Sequence, residues 1–218
     1  MKYAKLVAMG CAVVLGTAGL TGCSKTTDTT GDCSGGIQTT GGGTTNASNL
    51  DVETEENSSA AIRSDRGSGT VNVDGGTYQG DSENIHNIMI YQSMSGDAEV
   101  GEASFAAEGG SITAKSGDMF YVTNTGCTIS LKDVAFKLAN EVFLRVEGNS
   151  SGRGWGQEGS NGGDVVLNAE KQTMEGRILV DEISSLKLNP TEGSSFTGST
   201  DNVIANRYHL YVDGEQVL

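Results

Sequence analysis

The residues best suited to bind a ligand lie in one long Gly-rich segment, residues 147–164. It contains the single tryptophan of the chain, Trp155, close to Arg153, Gln157 and Glu158. A flat apolar ring can stack on a sugar ring while planar polar groups bond to its hydroxyls, so this composition predicts a carbohydrate-binding loop. The alternative is that Trp155 folds back over the strands as a hydrophobic plug, because large aromatic side chains gain most from burial.

Two sets of carboxylates offer the hard oxygen ligands that calcium prefers. One set lies in this segment and the other on successive repeats: Glu147, Glu158 and Asp164, and Asp74, Glu102 and Asp133. Neither set has the spacing of a calcium-binding loop. The sequence therefore favours a solvated acidic face and no cofactor, with calcium as the alternative.

No catalytic site is predicted from the acidic residues or the histidines. Asp181 and Glu182 are an acidic pair of a kind that can act as acid and base. Adjacent residues of a strand point to opposite faces, however, so this pair does not converge. The two histidines, His86 and His209, lie in segments typical of a loop and of a terminal strand. The chain is predicted to be non-catalytic, and a polysaccharide lyase or glycoside hydrolase is the alternative.

The N-terminus has the layout of a lipoprotein leader. A positively charged start, Met1–Lys5, precedes an apolar run of 15 residues, Leu6–Leu20, and the tetrapeptide that ends at Cys23. A spanning helix needs roughly 18 to 20 apolar residues, so a signal peptide over residues 1–22 is favoured. Leu20-Thr21-Gly22-Cys23 resembles the bacterial lipobox, which implies acyl chains, palmitate among them, on Cys23 and an anchor in the membrane. The alternative is an ordinary secretory signal with Cys23 incidental.

Composition divides and classifies the remainder of the chain. Residues 23–59 are rich in Thr, Gly, Ser and Asn, which predicts a flexible spacer, with a frayed first strand repeat over its last ten residues as the alternative. With 32 Gly and a net charge of −14, the chain is neither a helical bundle nor a binder of nucleic acid. Cys127 alternates with Ile129 and Leu131, which indicates a buried thiol.

From residue 60 to 218 the sequence consists of similar short strands separated by turn residues. Three segments align, and each places an aromatic residue five positions after a branched aliphatic one: 71–78, 98–105 and 129–136. The apolar positions that we align across the repeats recur at 24 to 34 residues: Ile62, Ile90, Val122, Val146 and Val180. One such unit cannot bury its own apolar face, but stacked units form a continuous core.

These repeats predict an all-β domain, a right-handed parallel β-helix of about five coils. An antiparallel β-sandwich is the alternative, although a sandwich has no reason to repeat itself. The tail, residues 208–218, is typical of a hairpin that turns at Asp213-Gly214 and caps the stack.

Three segments resemble β-helical repeat proteins of Gram-positive gut bacteria, which are described as adhesin-like or carbohydrate-binding-like: residues 118–125, 160–169 and 194–198. The resemblance implies a cell-surface role facing polysaccharide and no particular chemistry. We therefore expect a non-catalytic lipoprotein on the extracytoplasmic face of the cell membrane that binds a polysaccharide or surface glycan. The alternative without a ligand is a structural spacer.

Overall fold

In the computed structural model, the described part of the chain consists of β-strands and turns. The structure describes residues 18–20, 25–29, 35–66, 68–81, 86–93, 101–148, 155–191, 193–201, 208–212 and 215–216. The strands in chain order are β1 (Ala18–Leu20), β2 (Lys25–Thr29), β3 (Ile37–Thr40), β4 (Thr44–Ser48), β5 (Leu50–Thr54), β6 (Ile62–Asp65), β7 (Thr70–Asp74), β8 (Thr77–Gly80), β9 (Ile88–Tyr91), β10 (Glu102–Glu108), β11 (Ser111–Ala114), β12 (Phe120–Thr123), β13 (Thr125–Lys132), β14 (Ala135–Lys137), β15 (Val142–Val146), β16 (Gly163–Glu170), β17 (Thr173–Glu175), β18 (Arg177–Val180), β19 (Ser185–Thr191), β20 (Ser195–Thr197), β21 (Thr200–Asp201), β22 (Tyr208–Val212) and β23 (Glu215–Gln216). These ranges contain no helix long and apolar enough to cross a bilayer.

Consecutive strands belong to different sheets in a fixed cyclic order. Sheet A has the order β1-β4-β7-β10-β13-β16-β19-β22-β23, sheet B the order β14-β11-β8-β5-β2, and sheet C the order β21-β18-β15-β12-β9-β6-β3. A short sheet D pairs β17 with β20 in the place where sheet B would continue. We call three consecutive strands a layer: one from sheet A, one from sheet B or D, and one from sheet C. The described strands make seven layers.

Among the described strands, pairing between successive layers is parallel, with a break in sheet B between β14 and β17 and one antiparallel pair at the C-terminus. Ile129 of β13, for example, lies between Phe105 of β10 and Leu167 of β16. The exception is the antiparallel pair of β22 with β23, in which Tyr211 lies opposite Gln216. The predicted terminal hairpin is therefore present, although its turn residues, 213–214, lie outside the described residues. The antiparallel sandwich is wrong because the other strand pairs are parallel.

Alternation along each strand decides which side chains enter the core. In β13, Cys127, Ile129 and Leu131 are buried, whereas Thr128 and Ser130 point outward. Inward apolar side chains from the three large sheets belong to one cluster that runs through all the layers. The predicted burial of Cys127 is confirmed, and burial raises the pKa of its thiol.

The turn from sheet A to the next sheet begins with a left-handed residue in layer after layer, and a second one follows at Gly76 and Gly110. The residues that follow the sheet A strands have φ values of 50 to 64°: Asn49, Gly75, Gly109, Asp133 and Lys171. Glycine, asparagine and aspartate are the residue types that enter this region most readily. The turn residues that punctuate the sequence are thus the corners between sheets.

The expected flexible spacer is wrong over residues 37–54, which contain the strands β3, β4 and β5. β4 pairs with β7, and β5 pairs with β8. The Thr-rich composition suggested disorder because these strands have few apolar residues, but three of their threonines are buried: Thr39, Thr45 and Thr54. Thr39 Oγ1 and Thr45 Oγ1 share a hydrogen bond at 2.7 Å. The expected number of repeats, about five, is too low for the same reason.

Sheet B stops at β14, and the next strand in that position, β17, pairs only with β20. The side chain of Gln172 spans the break: Val134 N donates to Gln172 Oε1 at 2.9 Å, and Gln172 Nε2 donates to Val134 O at 2.8 Å. Because a side chain rather than a strand backbone reaches Val134, β17 lies further from β14 than the ~4.8 Å that separates paired strands.

Candidate functional site

The outer face of sheet C carries a second, smaller apolar cluster. Met89 and Tyr91 of β9 and Tyr121 of β12 are nearly inaccessible to solvent, and Trp155 packs against them. We call these four residues the outer aromatic cluster. The alternation of β9 and β12 produces it, because Ile88, Ile90, Phe120 and Val122 point into the core and the residues between them point outward.

Trp155 lies flat on this cluster and is only partly buried. Its ring stacks on Tyr91 with centroids 4.3 Å apart and planes 24° apart. Asn161 Nδ2 donates to Trp155 O at 2.9 Å, which holds the end of the loop close to the start of β16. The structure thus has Trp155 folded back onto the strands, as the packing alternative expected, while the residue as a whole stays partly exposed.

The other loop residues predicted to bind a ligand do not all surround the tryptophan. Gln157 and Glu158 are exposed in the turn that follows Trp155, where Ser160 N donates to Gln157 O at 2.9 Å. Arg153 lies outside the described residues, as does Cys23, the predicted lipid attachment site.

A buried carboxylate organises the polar groups beside the cluster. The side chain of Asp118 is 4% exposed and bonds to three neighbours. Arg145 Nε donates to Asp118 Oδ2 at 2.5 Å, and Asn140 Nδ2 donates to Oδ1 at 2.8 Å. His86 Nδ1 lies 3.1 Å from Oδ2, and its ring stacks on Tyr121 with centroids 4.4 Å apart. We call these residues, with Glu147, the Asp118 network.

Burial opposes ionisation of Asp118, but the hydrogen bonds from His86 and Arg145 outweigh it and lower the pKa of Asp118 to about 2. A carboxyl group that ionises so readily is a poor general acid near neutral pH. Its role is positional. It holds the Arg145 guanidinium and the His86 imidazole, 27% and 25% exposed, at the surface.

The strand register places the Trp155–Tyr91 stack and the His86–Tyr121 stack on neighbouring strands. Tyr121 lies opposite Met89, two residues from Tyr91 on the neighbouring strand, and Arg145 lies opposite Tyr121 on the other side. Tyr91 and Tyr121 are therefore separated by about 8 Å between Cα atoms. Trp155 on Tyr91 and His86 on Tyr121 therefore lie on the same face of sheet C as Arg145. Arg145 Nη1 also bonds to Glu147 Oε2 at 3.2 Å.

Sequence reasoning missed most of the Asp118 network. Asp118 is 32 residues from His86 and 27 from Arg145 along the chain, so no short motif contains them. The one available signal was their position: Asp118 immediately precedes a strand pattern, and Arg145 interrupts an apolar one.

The predicted calcium ligands are not brought together. Among the described residues, no group of three or more His, Cys, Asp or Glu side chains is placed to hold a metal ion. Glu147 pairs with Arg145, Glu158 is exposed in its turn, and Asp164 accepts a hydrogen bond from Ser185 at 2.6 Å.

Of the acidic pair considered for catalysis, Asp181 has a structural role, and Glu182 has none that we observe among the described residues. Asp181 Oδ2 accepts a hydrogen bond from Gly148 N at 2.7 Å and thereby ties two successive layers together. Glu182 is exposed.

No protein-family model, curated protein or solved structure matches this chain.

Proposed function

We propose that this protein binds a glycan on the outer face of sheet C, at the surface bordered by Trp155, His86 and Arg145. The observation that carries the proposal is the stacking of the Trp155 ring on Tyr91 at a residue that stays partly exposed. A ring supported from below by a second ring is rigid, so it can stack on a sugar with little loss of conformational freedom.

The polar groups around the ring suit a ligand rich in hydroxyls. Arg145 offers planar N–H donors, Glu147 offers acceptors, and His86 can do either. Asp118 holds the side chains of Arg145 and His86 from beneath, so these groups are positioned before a ligand arrives. Sites that combine a flat apolar surface with a few fixed polar groups are typical of small-ligand recognition.

We further propose that the layers form a right-handed parallel β-helix, capped by the β22/β23 hairpin and anchored to the extracytoplasmic face of the cell membrane by acyl chains on Cys23. Parallel pairing from layer to layer supports the first part, and the lipobox-like tetrapeptide supports the anchor. Cleavage before Cys23 would remove β1 and leave β2, which starts two residues later, next to the membrane.

The glycan proposal predicts a strong effect of one substitution. On a glycan array probed with the full chain in detergent, we expect Trp155→Ala to weaken retention at least tenfold, because the ring that stacks on the sugar is lost. Trp155→Phe keeps an aromatic ring on Tyr91 and should retain most of the binding.

A matched control on another surface separates the site from general effects. Glu108→Gln, on the outer face of sheet A, should leave glycan retention unchanged. The proposal fails if the full chain is retained by no glycan, or if Trp155→Ala and Glu108→Gln behave alike.

A catalytic role is the second candidate, and the His86–Asp118 contact favours it. A carboxylate that orients an imidazole is a common arrangement for a general base. Release of reducing ends or unsaturated products from a bound glycan, abolished by His86→Ala, would assign a lyase or hydrolase activity and overturn the non-catalytic proposal.

The anchor predicts a change of cell fraction. In bacterial cells that express the full chain and are fed a labelled fatty acid, we expect Cys23→Ala to lose the label and to leave the membrane fraction, because the thiol that accepts the lipid is gone. Cys33→Ala should keep both. Retention of label by the Cys23 variant would contradict lipidation at this residue.

A further inference from the structure

The break in sheet B leaves a cavity of about 780 Å³ between β14 and β17. It is bounded at one end by the Gln172 side chain. At the other end the chains meet again, since Arg177 N donates to Glu141 O at 2.6 Å. We call this space the β14–β17 slot. Its volume is in the range of ligand sites, and it lies on a different sheet from the proposed glycan site.

Both edges of the slot present backbone groups that no described strand pairs with. A strand in a parallel sheet directs its residues alternately to its two neighbours. Ala135 N donates to Gly110 O of the preceding layer at 3.0 Å, so Phe136 directs its N–H and C=O into the slot. Gly176 N donates to Thr197 O at 3.1 Å on the far side, so Glu175 directs its own groups into the slot.

The side chains along the edges alternate as they would beside a missing strand. The first residues of the two edges, Ala135 and Thr173, point outward. Phe136 is half-buried and Met174 is fully buried, so the middle position points inward. Lys137 and Glu175 point outward at the third position and provide both signs of charge at the mouth of the slot.

We propose that the β14–β17 slot binds a short extended peptide segment of a partner protein, which adds as a strand between β14 and β17. The closed ends limit the inserted part to about three residues, from the length of the two edge strands at ~3.3 Å per residue. The alternation selects a polar–apolar–polar pattern, with the apolar side chain over Phe136 and polar side chains between Lys137 and Glu175. Main-chain hydrogen bonds supply affinity, and the alternate side chains supply selectivity.

The chain itself contains the pattern that this site would select. In β11, Ser111, Ile112 and Thr113 lie opposite Ala135, Phe136 and Lys137 on the other edge of β14. A capped peptide with the β11 sequence, acetyl-Ser-Ile-Thr-Ala-amide, is therefore a suitable probe for the free edge.

The test measures binding of this probe to the full chain together with amide hydrogen exchange. We expect saturable binding and slower exchange at the Phe136 and Glu175 amides. The same peptide N-methylated at Ile and Thr loses one N–H group toward each edge and should bind much more weakly. Thr173→Trp, whose ring would cover the mouth of the slot beside the outward-pointing Thr173 position, should weaken binding at least tenfold, whereas Ser195→Trp should leave it within twofold.

The two tryptophan variants are matched because Ser195 lies opposite Thr173 on the next strand and is equally exposed. The proposal is overturned if the probe does not bind, if the N-methylated peptide binds equally well, or if Thr173→Trp has no effect. It is also overturned if the free chain self-associates and already protects the two amides, since a second copy is then the occupant.

Discussion

Replacing Gly110 by alanine is expected to lower the free energy of unfolding by about 3 kcal/mol, because a methyl group there meets the backbone of the preceding layer. Gly110 has φ = 71°, and a Cβ there would lie 2.5 Å from Gly76 O and 2.7 Å from Gly75 C. These atoms belong to the backbone of the preceding layer, so a rotamer change cannot relieve the overlap. The layers would have to separate locally.

The neighbouring glycine provides the control for this prediction. Gly109 has φ = 64°, but a Cβ there meets nothing within 4 Å. Gly109→Ala should therefore cost only the left-handed backbone conformation, about 1 kcal/mol. Thermal unfolding followed by circular dichroism should show a midpoint roughly 10 °C lower for Gly110→Ala and a clearly smaller decrease for Gly109→Ala. Equal decreases would show that contact between layers does not determine the cost.

The second large effect is expected at Asp118. Asp118→Asn keeps the shape of the side chain but removes the charge that Arg145 and His86 contact, so the free energy of unfolding at neutral pH should fall by about 2 kcal/mol. That value corresponds to the decrease in the pKa of Asp118 from 3.8 in the unfolded chain to about 2 in the folded one.

The same pKa decrease fixes the pH range of the effect. A lowered carboxyl pKa stabilises the fold fully above about pH 4, and the stabilisation is lost as the pH falls towards 2. Urea unfolding at several pH values should show this loss in the original protein and a weaker one in Asp118→Asn. Glu147→Gln removes a more exposed partner of Arg145 and should change stability by less than about 1 kcal/mol. An unaltered acid dependence in Asp118→Asn would contradict the assignment.

The sequence was sufficient to predict stacked repeats but not their full register. Ile90, Val122, Val146 and Val180 do lie opposite one another in sheet C, as the alignment of repeats required. Ile62 was misplaced, because it lies opposite Ile88. A shift of two residues keeps every side chain on the same face, so the alternation of apolar residues cannot detect it.

A larger error concerned Phe105, which was aligned with Tyr78 and Phe136. The structure places Phe105 opposite Val71 and Ile129 in sheet A, whereas Tyr78 belongs to sheet B. From β4 onward, only one to three residues separate each sheet A strand from the strand that follows it, so one alternating run continues into the next. Strand boundaries set by one or two left-handed residues are hard to locate in a sequence with 32 glycines.

The candidate site was also only partly predictable from the sequence. Trp155 was identifiable because it is the only tryptophan and lies in a long Gly-rich segment. Its support, Tyr91, is 64 residues earlier in the chain and meets it only because β9 lies on the same face of the stack. Likewise, Asn140 and Asp118 come together through the turn before β15, which depends on the register between layers.

Because each layer pairs only with its two neighbours, the stack can gain or lose one complete layer without changing the pairing of the others. Phe120 to Leu144 takes 24 residues and Leu144 to Ile178 takes 34, yet both advance the stack by one strand spacing, about 4.8 Å. Duplication or loss of one repeat would therefore change the length of the stack in fixed steps, while surface loops lengthen or shorten independently. With the proposed anchor and glycan site, distance from the membrane and ligand preference would then change separately.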